Sequence, residues 1–288
     1  MKDGLIISLL SIIPKKPVAR FMGFSARLEL PRFMHKALVR YFIWKYDVNI
    51  EECQGEITDF SSLGDFFIRP LKDGRRLIDQ KTEHITSPVD GRVHAFGKIK
   101  NGLFYQSEAQ QGSVRELLGE MQIPNFPENL SHLDMKHFDN GSFIIIYLSP
   151  QDYHRVHSHD GGKIELIRYL PGKLWPVFPA ATRKIPHLFD RNERLVFGMT
   201  HEYGVSFSAL IGAFGVGRMS TIHSPIVTNS NGPVEESMHN IAIERGSEIG
   251  RFELGSTVVL VYPDSIDVDW QVKEQQKVTL GEVIAVRK

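Results

Sequence analysis

The sequence predicts an α+β fold that is mainly β: an antiparallel β-barrel or sandwich preceded by an amphipathic helical segment. Three observations predict it. From about residue 57 onward, short β-rich runs are separated by Gly, Pro, Asn and Asp. No alternation of strand and helix patterns occurs there, which argues against a parallel sheet. Residues 1–56 instead carry apolar side chains at helical spacing.

The composition is that of an ordinary folded protein. Its 288 residues suffice for one or two domains, and 42% of them are hydrophobic and 24% charged. The formal net charge is zero, which argues against a nucleic-acid partner. Cys53 is the single cysteine, which excludes an intramolecular disulfide and a cysteine-based metal cluster.

The N-terminal segment is basic. Residues 1–48 contain nine Lys or Arg against three Asp or Glu, hence a local net charge of +6. The apolar run from Leu5 to Ile13 stops at two prolines and two lysines, so it is too short to cross a bilayer. No small-residue cleavage site follows it, and we therefore expect this run to be retained.

The stretch from Pro31 to Tyr46 predicts an amphipathic helix. Its apolar residues at helical spacing are Phe33, Met34, Ala37, Leu38, Tyr41 and Phe42, opposite Arg32, Lys36 and Arg40. Two interpretations are open: an interfacial anchor on anionic lipid, or a helical cap with a solvated basic face. The neighbouring apolar run followed by lysines favours the membrane. The expected membrane-binding residues are Leu9, Phe21, Phe33, Leu38 and Phe42.

Strand-like runs dominate the second domain, residues 57–288. They are residues 91–99, 142–149, 163–170, 193–204, 205–217, 256–263 and 282–288. The run at 256–263 is unusual because the apolar Val258 to Val261 follows a Gly-Ser-Thr triplet.

Three histidines form the densest polar cluster. His154, His157 and His159 follow the apolar strand that ends near Tyr147, so they lie at a strand end or in the next loop. One interpretation is an acid–base site in which an aspartate orients a histidine that activates a nucleophile. Another is a polar loop of satisfied histidines.

A zinc site is the third interpretation of the histidine cluster. On an extended segment, His157 and His159 would share one face, and Asp90 or Asp160 could complete the ligand set. This alternative predicts a zinc-dependent hydrolase with an intact chain and bound metal. It remains open from the residues alone.

Gly255 and Ser256 permit a specific chemistry. A serine hydroxyl can attack its own preceding carbonyl and convert the amide into an ester, and Gly255 lets the backbone adopt the strained approach. Loss of the Ser256 α-proton then expels the ester carboxylate and leaves dehydroalanine, which hydrolyses to a pyruvoyl ketone. Such a ketone forms an imine with an amine and accepts electrons.

Five motifs together resemble the phosphatidylserine decarboxylase family. They are LGST at 254–257, DYHRVH at 152–157, SPVDGRV at 87–93, FFIRPLKDGRRLI at 66–78 and LFDRNERL at 188–195. The resemblance covers most of the chain. It implies self-cleavage between Gly255 and Ser256 into a β chain, residues 1–255, and an α chain, residues 256–288, with Ser256 becoming a covalent pyruvoyl cofactor.

The resemblance also assigns roles. Asp90 and His157 match the family's other self-cleavage residues, with the aspartate orienting the imidazole, and His154 matches a histidine near the substrate. The implied reaction converts phosphatidylserine into phosphatidylethanolamine through a Schiff base, without metal. The implied location is peripheral, on the anionic cytoplasmic face of a bacterial cell membrane, and the implied assembly is a homodimer of αβ units.

Overall fold

The structure is a computed structural model that describes residues 14–119, 133–215, 218–226, 228–229, 235–253 and 257–288. The described helices are α1 (Lys15–Ala26), α2 (Arg32–Tyr46), α3 (Leu63–Phe67), α4 (Val114–Leu118), α5 (Pro179–Lys184) and α6 (Leu188–Arg191). The strands are β1 (His84–Thr86), β2 (Gly91–Lys98), β3 (Leu103–Ser107), β4 (Gln110–Ser113), β5 (Ser142–Tyr147), β6 (Arg155–His157), β7 (Gly162–Leu170), β8 (Arg194–His201), β9 (Gly204–Ile211), β10 (Met219–Ser220), β11 (Glu235–Ile243), β12 (Glu248–Phe252), β13 (Thr257–Tyr262), β14 (Val268–Trp270), β15 (Lys277–Val278) and β16 (Val283–Arg287).

An eight-stranded antiparallel sheet forms the centre, with the order β11-β7-β8-β9-β13-β5-β2-β15. In it, β13 pairs on one side with β5 and on the other with β9. All six residues of β13 are buried, as expected for a strand whose two edges are paired and whose two faces are covered. The apolar run Val258 to Val261 was therefore correctly predicted as a buried strand.

The predicted α+β fold that is mainly β is confirmed, but of the two predicted architectures, barrel or sandwich, the closed barrel is wrong for the described strands. The central sheet ends at β11 on one side and at β15 on the other, and these two strands do not pair with each other. β15 has only two residues, so it offers too short an edge for closure. A second sheet, β1-β16-β14, instead contributes Trp270, whose ring lies 6.1 Å from that of Phe96 and 6.4 Å from that of Tyr262.

A third sheet, β10-β12-β6, carries the chain towards the centre of the molecule. β12 pairs antiparallel with β6, with Glu248 opposite His157 and Arg251 opposite Arg155. After β12 the chain passes through residues 253–256 and enters β13. The strand that holds His157 is thus hydrogen-bonded to the strand that leads to Gly255 and Ser256.

Helix α2 packs with a different face from the one that its sequence pattern predicts. Its buried residues are His35 and Val39, and Phe42 packs edge-on against Phe66 and Phe67. Part of the predicted stripe, including Phe33, is exposed, whereas Leu38 borders a cavity between α1, α2 and the end of β5.

Large apolar side chains are therefore exposed on the first two helices. Phe21, Phe33 and Trp44 are 68%, 76% and 78% exposed, and Leu38 is 36% exposed. Leu9 lies outside the described residues. None of the helices in the described part of the chain is long and apolar enough to span a bilayer.

A buried ion cluster ties the last strand to the sheet. Asp160 is 2% exposed; one of its carboxylate oxygens accepts from Arg287 of β16, and the other lies 2.8 Å from Arg245. His159 and His201 also lie within 4 Å of this carboxylate. The last strand of the chain is thus held by a buried charge from near the middle of the sequence.

We expect Asp160→Asn to lower the free energy of unfolding by about 3–5 kcal/mol, because it leaves two buried guanidinium groups without their anion. Asp267→Asn is the matched control, since its ion pair with Lys98 is solvent-exposed and contributes about 0–1 kcal/mol. Denaturant midpoints with slopes measure both. Equal destabilisation by the two substitutions would contradict a stabilising role of the buried ion cluster around Asp160.

Candidate active site

The candidate site lies where several strands of the central sheet end together. β13 begins at Thr257, opposite Tyr147 at the end of β5, and Tyr147 also pairs with Arg92 near the start of β2. Asp90 directly precedes β2, and the loop of the histidine cluster directly follows β5. The antiparallel register therefore gathers three sequence-distant segments at one end of the sheet.

Asp90 is held rigidly in a buried ion pair. It is 7% exposed and accepts hydrogen bonds of 2.8 Å from Arg76 Nε and from the backbone N–H of Leu280. Arg76 also binds Glu52 at 2.8 Å. The hydrogen bond with Asp90, followed by that with Glu52, raises the pKa of Arg76, so this guanidinium is a permanent charge.

The position after Asp90 requires a glycine, Gly91, because β2 and β5 lie very close together there. A Cβ added to Gly91 would lie 2.6 Å from the carbonyl oxygen of Tyr147. Only a glycine lets β2 approach β5 this closely, so the residue before it is fixed at the sheet end.

His157 is oriented by a backbone carbonyl rather than by Asp90. Its Nδ1–H donates to the Gly246 oxygen at 2.7 Å, which leaves Nε2 to accept from the Tyr153 hydroxyl at 3.1 Å. Burial, with a smaller effect of Arg155, lowers the pKa of His157, and the Asp90 carboxylate acts weakly in the opposite direction. The imidazole is therefore neutral at pH 7, with its basic lone pair on Nε2.

The loop of Asp90 nevertheless contacts the His157 strand. The backbone N–H of His157 donates to the carbonyl oxygen of Pro88 at 2.9 Å. The expected pair is thus brought into one neighbourhood, but the direct hydrogen bond that would let Asp90 orient the imidazole is absent from the described contacts.

His154 is the most buried member of the site. It is fully buried, its Nδ1–H donates to the Asp152 carbonyl at 2.8 Å, and its ring lies 4.0 Å from that of Phe67. Its Nε2 has no hydrogen-bond partner among the described residues. Burial, reinforced by the charge of Arg69, lowers the pKa of His154 to about 3. It is a neutral imidazole with an unsatisfied acceptor.

Arg69 supplies the complementary unsatisfied donors. The side chain is 3% exposed, and its Nη2 donates to the carbonyls of Gln151, at 2.8 Å, and Asp152. Its Nε and Nη1 have no partner in the described part of the chain. Buried polar groups are rarely left unpaired in folded proteins, so Arg69 and His154, which share the Asp152 carbonyl, mark a functional location.

The zinc-ligand geometry is not formed. His159 is fully buried on the far side of the loop, 2.9 Å from Ser206 Oγ and 3.2 Å from Ser208 Oγ. The extended strand ends at His157, so His157 and His159 no longer share one face. Among the described residues, the only His, Asp and Glu side chains close enough to bind one ion jointly are Glu116, His187 and Asp190.

Gly255 and Ser256 lie outside the described residues, but both flanks are placed. On one side, the Phe252 N–H donates to the His154 carbonyl oxygen at 3.0 Å. On the other side, Thr257 opens β13. The described flanks thus connect the predicted cleavage segment to the histidine loop and to the sheet centre.

Sequence reasoning did not single out several residues of this site. Arg69 and Arg76 lie within the motif at 66–78, and Tyr153 lies within the motif at 152–157, so both motifs carried a signal. The Gly246 carbonyl carried none, because a backbone acceptor can come from any residue type.

Comparison with known proteins identifies the family. The family model described as phosphatidylserine decarboxylase matches residues 63–286. The chain is 34% identical over 289 residues to the phosphatidylserine decarboxylase proenzyme of Myxococcus xanthus, covering 99% of both chains. It is 35% identical over 285 residues to the proenzyme of Acinetobacter baumannii, covering 98% of this chain and 96% of the relative. For the proenzyme of Marinobacter nauticus the identity is 36% over 289 residues, with 98% and 97% covered.

The chain is an enzyme of the decarboxylase class. It belongs to the phosphatidylserine decarboxylase family. The family assignment made from the five motifs is confirmed, and family membership favours the decarboxylase over the zinc hydrolase.

The buried neutral histidines predict loss of stability in acid. Burial lowers the pKa of both His154 and His201 to about 3, whereas unfolding restores the ordinary value near 6.5. The unfolded chain therefore binds more protons below about pH 6.5, and stability falls from there towards pH 3. From pH 7 to 5 the loss is about 2 kcal/mol per histidine.

Urea unfolding at a series of pH values measures this slope. His154→Gln should remove about one histidine's share of it, while His137→Gln, at an exposed position, should leave it unchanged. A wild-type stability that is flat between pH 7 and 5 would rule out the neutral buried imidazoles.

Proposed function

We propose that the chain decarboxylates phosphatidylserine to phosphatidylethanolamine with a pyruvoyl group that it forms from its own Ser256. One observation carries the proposal. β6, which holds His157, pairs with β12, the strand that runs into Gly255 and Ser256. Cleavage between these two residues would give a β chain, residues 1–255, and an α chain, residues 256–288.

His157 fits the part of the base in self-cleavage. Its Nδ1–H is fixed by the Gly246 carbonyl, so Nε2 is the atom that would take the Ser256 hydroxyl proton, pass it to the Ser256 nitrogen as the amide becomes an ester, and then take the α-proton. Tyr153 occupies Nε2 with a hydrogen bond and must turn away for this transfer. Asp90 stabilises the imidazolium through its charge and positions the neighbouring loop through Pro88.

The Arg69 and His154 atoms that have no partner among the described residues fit a reactive carbonyl group and its substrate. The pyruvoyl group supplies an electrophilic carbonyl that binds the substrate amine and withdraws electrons as the carboxylate leaves. His154 accepts the proton that the substrate ammonium must lose, at the free Nε2, and returns it to the product. Burial, reinforced by the Arg69 charge, lowers the pKa of His154 and keeps it in the neutral form that can do so.

An apolar cavity next to the site fits the acyl chains. It has a volume of about 620 Å³ and lies between α1, α2 and the end of β5. Leu38 and Phe42 line it from α2, and Tyr147 lines it from β5. Phe67 lines the same cavity and stacks on His154, so the cavity leads to the proposed catalytic histidine.

The exposed aromatic side chains of the helical segment, residues 1–56, support its role in membrane binding. Phe21 and Phe33 are mostly exposed, which is costly in water and favourable at a bilayer interface. Leu38 and Phe42 contribute from the cavity wall. Peripheral location on the cytoplasmic face of a bacterial cell membrane and a homodimer of αβ units stay predictions.

Self-cleavage is tested by intact mass. We expect the purified wild-type chain to give two masses, residues 1–255 and 256–288, with the smaller fragment beginning with a pyruvoyl group. Ser256→Ala should remain one chain, and Ser265→Ala, at an exposed serine of the same segment, should be cut normally. An uncut wild-type chain would refute the pyruvoyl proposal.

Arg69 is tested through the pH dependence of kcat. Arg69→Met removes the nearby charge that lowers the pKa of His154, so this pKa rises and the acid side of the profile moves to higher pH. Arg69→Lys keeps a charge and should restore most of the profile. Arg75→Met, at an exposed arginine, should not move it. An Arg69→Met profile that superimposes on that of the wild type would dismiss this role.

A further inference from the structure

A second cavity, on the surface at the start of α1, is lined by positive charge. It has a volume of about 990 Å³ and is bordered by Lys15, Lys16, Lys173 and Arg191, together with the indole of Trp175. No acidic residue lines it, and none of these four cations forms an ion pair with a described residue. We call it the cationic cavity.

The charges are held in place by close backbone packing. The Lys173 N–H donates to the Arg191 carbonyl at 2.8 Å, and the Glu193 N–H donates to the Lys173 carbonyl at 2.8 Å. A Cβ on Gly172 would lie 2.5 Å from a backbone carbon of Asn192, so this approach requires a glycine. Lys173 and Arg191 therefore sit side by side on paired segments.

Lys15 closes the cavity from the helix. Its ammonium lies 3.7 Å from the centroid of the Trp175 ring. Burial, followed by the charge of Lys173 on the border of the same cavity, lowers the pKa of Lys15. A bound anion would relieve this repulsion.

We propose that the cationic cavity binds the phosphate of an anionic phospholipid headgroup at the membrane surface, apart from the lipid undergoing reaction. Converging Lys and Arg side chains are the usual partners of phosphate oxygens. The proposal rests on the membrane association proposed above and names the part of the surface that binds anionic headgroups.

Helix α1 favours a lipid over a free phosphate. Phe21 and Phe24 follow Lys15 by six and nine residues on the same helix and are 68% and 58% exposed. At 1.5 Å per residue they lie about 9 and 14 Å from the cavity along the axis. Cations together with exposed aromatic rings on one helix are the composition of interfacial helices, in which the cations lie at the headgroups and the rings at the acyl boundary.

The test is vesicle sedimentation with the full chain and a double variant, Lys173→Gln/Arg191→Gln. Vesicles contain phosphatidylcholine alone or with phosphatidylglycerol. We expect the double variant to bind the anionic vesicles about 30-fold more weakly, the effect of two cations at about 1 kcal/mol each. Binding to phosphatidylcholine and kcat on detergent-solubilised phosphatidylserine should be unchanged, because neither residue touches the site of His154 and His157.

Arg75→Gln/Lys81→Gln removes the same two charges from exposed positions elsewhere and should weaken binding less than about threefold. If the two double variants lose affinity equally, the loss reflects the net charge of the protein, and the cavity proposal is overturned.

Inorganic phosphate, titrated calorimetrically without vesicles, must bind weakly. Tight binding would make this a site for free phosphate instead.

Failure of the underlying membrane proposal looks different. Phe21→Ser/Phe24→Ser should lose binding to both kinds of vesicle. A wild-type chain that sediments with neither kind would refute membrane association itself, and with it the cavity's role. If the wild type binds vesicles and Lys173→Gln/Arg191→Gln binds the anionic vesicles equally tightly, only the proposal for the cationic cavity is overturned.

Discussion

The pairing of β13 between β5 and β9 is the interaction on which the rest of the structure depends. It joins the two halves of the central sheet, and it fixes Thr257 opposite Tyr147 and Ile211 at the sheet end where the histidine loop begins. All six residues of β13 are buried, and Val258 to Tyr262 belong to the main hydrophobic core. The position of the candidate site follows from this one strand.

The same pairing determines what a backbone cut before β13 would do. The segment after the cut keeps both ladders of β13, the β16 pairing with β1 and β14, and the ion pair of Arg287 with Asp160. Leu280 also donates to Asp90. A chain divided there would stay a single folded unit, because the contacts across the division are those of a core and not of a docking surface.

The sequence predicted the positions of strands and helices better than it predicted how they pair and pack. Apolar runs identify strands because burial on a sheet demands them, and Val258 to Val261 was found in this way. Whether the sheet closes depends on edge lengths, and the two-residue β15 has no pattern to detect. On α2, two apolar stripes overlap, and only packing decides that Val39 is buried while Phe33 is exposed.

The candidate site shows the same division. His154, His157 and Asp90 were predicted through motifs, and the structure gathers them at one sheet end. Their electrostatic state could not be predicted, because it depends first on burial and then on contacts distant in sequence: the Gly246 carbonyl for His157 and the Arg69 charge for His154. His159 appeared equivalent to its neighbours, yet the chain bends after β6 and buries it against Ser206.

The central place of β13 also sets an order on biosynthesis. A ribosome reaches Thr257 after it has made every other strand of the central sheet except β15. Until then β9 and β5 have no strand between them, and the nascent chain exposes two apolar edges. The self-cleavage proposed just before β13 would therefore have to wait until β13 has been made and paired, so a nascent chain that still lacks this strand would not be severed.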